Sequence, residues 1–107
     1  MLQSTIKELS ELETKTENVK KAIEHVTGVP FEVWHTSKKR ENIICKELFV
    51  YYARKQKIVF RVIAQYLHEH THSAAKRLED SYRNDYQTNP EFRAVANRVG
   101  EILMGVK

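Results

Sequence analysis

The sequence predicts an all-α, single-domain bundle of about six helices. Three observations carry this expectation. Apolar residues recur at helical spacing along most of the chain, and no stretch alternates cleanly like a half-buried strand. Only 3 glycines and 2 prolines occur among 107 residues, which argues for few tight turns. The polar breaks between periodic stretches carry residues that start or stop helices, such as Gly28, Pro30 and Asn89. A chain of this length suits one hydrophobic core.

Each element follows from its own signals. Leu2, Ile6, Leu9 and Leu12 form a first apolar stripe, which polar Thr14-Lys15-Thr16 interrupts. Thr14 and Glu17 have capping-box spacing, and Thr16 is a rival cap. A second helix then runs to about Val26 with Val19, Ala22, Ile23 and Val26 inward. Gly28 ends it, because glycine takes the left-handed cap conformation cheaply. Residues 1–15 thus read as a helical extension and 16–107 as the domain proper. Pro30 starts a short turn of helix, Phe31 to Trp34, whose two aromatic rings anchor the core.

The polar stretch His35-Thr36-Ser37-Lys38-Lys39-Arg40 reads as a loop. A helix from about Glu41 to Gln56 places Ile44, Leu48, Tyr51 and Tyr52 on a core face. Val59 to Leu67 forms the next helix, and Glu69 to about Arg83 another. In the latter, Thr71, Ala74, Leu78 and Tyr82 share one face. Asn89 caps the last helix, with Pro90 in the first turn, where its missing N–H is no loss.

Composition bounds the function. With 41% hydrophobic and 30% charged residues, the chain is expected to fold rather than stay disordered. It has no run of 18 apolar residues, so no membrane span is expected. No secretory signal is visible in Met1-Leu2-Gln3-Ser4-Thr5. The single Cys45 excludes an internal disulfide and suits a reducing cytosol. A net charge of +4 and a pI near 9.2 lean toward an anionic partner. The cations cluster at Lys38-Lys39-Arg40, Arg54-Lys55-Gln56-Lys57, Arg61 and Lys76-Arg77. The expected location is cytoplasmic, with the nucleoid.

His68-Glu69-His70-Thr71-His72 is the stretch with chemistry, and it supports two readings. As H-E-x-x-H it has the spacing of a zinc-protease helix, with His68 and His72 on one face and Glu69 polarising the metal-bound water. Such a site needs a third protein ligand, and Glu79, Asp80, His25 and His35 are available, yet none lies in a recognisable downstream motif. No strand is visible to hold a substrate peptide. His68, His70 and His72 cannot all converge on one metal from a helix, since alternate residues point about 200° apart.

The other reading is a DNA-binding helix-turn-helix. Two consecutive helices are joined by very few residues, and basic segments precede them. One helix packs across while the first turns of the next enter the major groove. Lysine and arginine around them neutralise phosphates and set the register. The run His68 to Ser73 is rich in hydrogen-bonding groups and poor in core formers.

From about Val19 to Leu103, some four-fifths of the chain, these pieces together resemble the C-terminal DNA-binding domain of the bacterial replication initiator DnaA, a Trp-repressor-like helical fold. Val19 to Val29 is similar to its first helix and turn. Phe31-Glu32-Val33-Trp34 and Ser37-Lys38-Lys39-Arg40 resemble its short helix and basic loop. Glu41 to Lys55 resembles the long helix that follows. Ile63-Ala64-Gln65-Tyr66-Leu67 is similar to the first helix of the helix-turn-helix, and Lys76-Arg77-Leu78-Glu79 to the back of the recognition helix. Glu91-Phe92-Arg93 opens what resembles the closing helix.

The resemblance implies double-stranded DNA as partner, without catalysis, metal or cofactor. It implies that Lys38, Lys39 and Arg40 lie near the minor groove or phosphates and that Arg54 contacts phosphate. It puts His68, Glu69, His70, Thr71, His72 and Ser73 at the reading edge, and Lys76, behind them on the same helix, among the DNA-binding residues. Two registers remain open there. One sets Glu69-His70-Thr71 against the family's Asp-His-Thr, and the other sets His68 against its histidine and Thr71 against its buried valine. The stretch after Leu67 is shorter than the family's and lacks its glycine and aspartate, which leaves the target sequence open. The chain has no G-x-x-x-x-G-K-[ST], so no ATPase module is expected within it. A protein-interaction module on the same fold, dimerising through Leu2, Ile6, Leu9 and Leu12, is the remaining alternative.

Overall fold

The computed structural model describes residues 2–69 and 71–105, with side chains described from Glu11 onward. Among them are five α-helices, one 3-10 turn and no strand. Among the described residues, no helix is long and apolar enough to cross a membrane. The side chains of Leu2, Ile6 and Leu9, like His70, lie outside the described residues.

The first helix, α1 (Leu2–Thr27), is continuous, where two helices were expected. The polar break does not interrupt it because Thr16 turns its hydroxyl back into the helix. That hydroxyl donates to the carbonyls of Leu12 and Glu13, at 3.1 and 2.9 Å. A threonine satisfied in this way has no need to cap a new helix. Val19, Ala22 and Ile23 are buried as expected, and Gly28 ends α1 at φ 73° with its N–H donating to the Glu24 carbonyl.

The 3-10 turn Phe31–Val33 delivers Trp34 to the core, where it is 1% exposed. Its indole N–H donates to the Val29 carbonyl at 3.0 Å, and its ring meets Phe31 and Phe49 edge-on. The second helix, α2 (Arg40–Lys55), is the central strut and contacts every other helix. Cys45, Leu48, Phe49, Val50 and Ala53 are all buried on it. Burial pushes the Cys45 thiol up to about 11, so it stays protonated.

Lys57, at φ 66°, and buried Ile58 turn the chain into α3 (Phe60–Tyr66). α4 (His72–Thr88) starts later and ends later than the sequence suggested. Its inward face is Ala75, Leu78, Tyr82 and Tyr86 rather than one beginning at Thr71. Tyr82 stacks on Tyr51 of α2, with ring centroids 3.9 Å apart, and meets Phe92 of the last helix edge-on.

That last helix, α5 (Pro90–Leu103), follows α4 after one residue. Asn89 accepts from the N–H groups of Glu91 and Phe92 at 3.0 and 3.1 Å. Arg93 meanwhile donates to the Tyr86 and Gln87 carbonyls at the end of α4. The Tyr52 hydroxyl donates to the Ala96 carbonyl at 2.6 Å. A Cβ at Gly100 would stand 2.7 Å from that hydroxyl, so a larger residue there would push the Tyr52 ring out of this position.

Candidate nucleic-acid interface

The turn between α3 and α4 is built by backbone geometry before any side chain acts. Leu67 is buried, and His68 follows at φ 60°. The His68 N–H donates to the Gln65 carbonyl and the Glu69 N–H to the Ala64 carbonyl, at 3.2 and 2.8 Å. This paired arrangement closes α3 and satisfies carbonyls that would otherwise face nothing. Histidine takes the left-handed position that glycine usually holds, at a cost of roughly 1 kcal/mol.

Four of the predicted residues change their setting as a result. His68 and Glu69 lie in the turn, before α4 begins. Thr71 is the N-cap of α4, exposed, with its hydroxyl oxygen accepting from the Ala74 N–H at 3.2 Å. It is therefore not the buried face residue that one register required. His72 is the first residue of α4, so His68 and His72 do not share a helical face. The zinc-protease geometry depends on that shared face, and this backbone does not supply it. Among the described residues, no three His, Cys, Asp or Glu side chains cluster as a metal-binding set.

The turn sits against the basic loop. The rings of His35 and His68 lie against each other, tilted by 30°, with centroids 4.2 Å apart. The loop is held from below by Trp34 and by Asn42 of α2. The Asn42 amide donates to the Val33 carbonyl at 2.9 Å and to the Ser37 hydroxyl at 3.0 Å. Lys46 of α2 braces the turn by an ion pair to Glu69 at 3.0 Å, with both side chains largely covered. Glu69 is thus committed within the protein.

The predicted cations divide into two groups. Lys38, Lys39 and Lys76 are exposed and form no ion pair among the described residues. Arg40 folds back instead, with Nη2 2.7 Å from Asp85 of α4 and Nη1 3.5 Å from Glu47. Arg54 is likewise engaged: it donates to the Ile58 carbonyl at 3.1 Å, lies over the Phe60 ring at 4.3 Å and approaches Glu79 at 4.0 Å. Arg40 and Arg54 therefore tie elements together.

On α4, His72, Ser73, Lys76 and Arg77 are exposed. Their spacing puts them on adjoining rows of the helix surface, starting at its positive end. Two members of this surface escaped the sequence reading. Arg77 was passed over as the back of the helix, although its exposure follows from the neighbouring apolar positions. His35 reaches the site through a tertiary contact that no local pattern encodes. An open groove of about 1040 Å³ lies elsewhere, lined by Lys21, His25, Tyr52, Lys55 and Met104 among others, and includes none of these residues. No protein-family model, no curated protein and no solved structure matches this chain.

Proposed function

We propose that this chain is a double-stranded DNA-binding module of the helix-turn-helix type, related to the C-terminal domain of DnaA, and that it reads sequence without catalysis. One observation carries the reading. The tilted His35–His68 ring contact joins a loop bearing two lysines without an ion pair among the described residues, Lys38 and Lys39, to a helix start presenting His72, Ser73, Lys76 and Arg77. Phosphate-neutralising cations thus flank a helix start with hydrogen-bonding side chains, the division of labour that groove readers use. The α3 and α4 pair, braced by Lys46 and Glu69 and capped by Thr71, supports a rigid presentation of that edge. Arg40, Arg54 and Glu69 act in this reading as supports. Lys38, Lys39, Lys76 and Arg77 contact phosphate, and His72 and Ser73 face base edges.

Selection of bound fragments from random duplex DNA, followed by anisotropy titrations at several salt concentrations, tests it. Lys38→Glu with Lys39→Glu weakens binding to all sequences and reduces the salt slope by about 2, one counterion per phosphate contact. His72→Ala or Ser73→Ala changes the preferred sequence more than the salt slope. A protein that no duplex retains at low salt defeats the proposal.

A further inference from the structure

One buried polar cluster lies behind the side chains proposed to touch DNA. The Glu47 side chain on α2 is 1% exposed, and its Oε2 has no hydrogen-bond partner among the described residues. Its Oε1 has only the long 3.5 Å contact with Arg40. The shorter bond of that guanidinium goes to Asp85. Glu47 and Asp85 therefore converge on one guanidinium. Two carboxyl groups that share one cation at a covered site favour the state in which one of them keeps its proton. The more buried one, Glu47, is where a charge is least tolerable, so it is the acid and Asp85 the carboxylate.

We propose that Arg40, Glu47 and Asp85 form a clasp that fixes α4 on α2 and opens when Glu47 gives up its proton. The charged groups facing Glu47 are Arg40 from its own helix and Asp85 from α4. Burial and then Asp85 push the Glu47 carboxyl up to about 8, against the opposing pull of Arg40. Asp85 is held low despite its burial, by the Glu47 acid and by Arg40. When Glu47 ionises, two carboxylates share one cation at a covered site. Arg40 follows Lys38 and Lys39 directly, so an opened clasp adds a third cation to the basic loop. That last consequence rests on the DNA reading, whereas the clasp itself does not.

The sign is fixed by linkage. Glu47 binds its proton more tightly in the folded chain, so its favourable contribution is complete below the ordinary value of 4.5 and is lost as pH rises to about 8. Within that window the folding constant falls about tenfold per pH unit. Three measurements on the whole chain test the clasp. Carbon NMR of the Glu47 carboxyl should give a midpoint near 8; a midpoint in the ordinary carboxylate range overturns the proposal. Hydrogen exchange of the second half of α4, corrected for base catalysis, should quicken in the wild type between pH 7 and pH 9. In Glu47→Gln, whose amide stays neutral at both pH values, it should not. Equal responses in the two proteins also overturn the proposal. Duplex titrations at both pH values separate the two ideas, because a protein that titrates and opens as described but holds no DNA keeps the clasp and loses the DNA reading.

Discussion

The turns at the two ends of α3 share a backbone and differ in what they do with it. Each places a non-glycine residue in the left-handed region, Lys57 at 66° and His68 at 60°. In each, the following N–H reaches back to a carbonyl of the helix just ended, Ile58 to Ala53 and Glu69 to Ala64. After Lys57 comes Ile58, which is buried and fastens α2 to the core. After His68 comes Glu69, which is fastened by charge to Lys46, and then an exposed polar helix start. The same geometry hides one turn and displays the other. The lesson is that the residue just past the left-handed position decides which outcome follows.

The largest expected effect tests the hidden turn. Ile58→Ala should lower stability by about 2–4 kcal/mol in chemical denaturation, since a buried side chain leaves a cavity behind. Glu69→Ala should lower it by about 1–2 kcal/mol, because Lys46 is left largely covered without its partner. Equal losses would mean that both turns depend on the same kind of fastening. Next in size, Thr71→Ala should cost about 1 kcal/mol by removing the α4 cap, while Thr71→Ser should hold. Thermal melts of the two variants side by side would show this. Smallest are Lys57→Gly and His68→Gly, each expected to stabilise by about 0.5–1 kcal/mol by relieving the left-handed strain. They should part company on DNA: His68→Gly also loses the ring contact with His35 and lowers affinity. If His68→Gly bound duplex DNA unchanged, the displayed turn would have no share in recognition.

Local patterns revealed the helices well and their junctions poorly. Periodicity located α2 and α5, and Asn89-Pro90 marked the start of the latter, because both are decided by neighbours in sequence. Thr14-Lys15-Thr16 looked like a break because a threonine hydroxyl serves equally well as a cap or as a back-bonded group. The start of α4 was misjudged because its signal is a left-handed histidine rather than a glycine, and nothing local announces that choice. The Lys38-Lys39 part of the basic loop was legible from composition. The inward turn of Arg40 was not, since its partner Asp85 lies 45 residues away. The same holds for His35 and His68, which meet only in the folded chain.

The elbow between α4 and α5 bears on what lengths of chain this fold can accept. Asn89 ends one helix and caps the next, while Arg93 closes the last carbonyls of α4. One inserted residue would turn α5 by about 100° relative to its partners and uncouple both sets of bonds. The Tyr52 contact at Gly100 would be lost with it. Insertions in descendants of this sequence should therefore collect in the 35–39 loop and be purged from the elbow, so that the polar edge varies in length while its foundation does not.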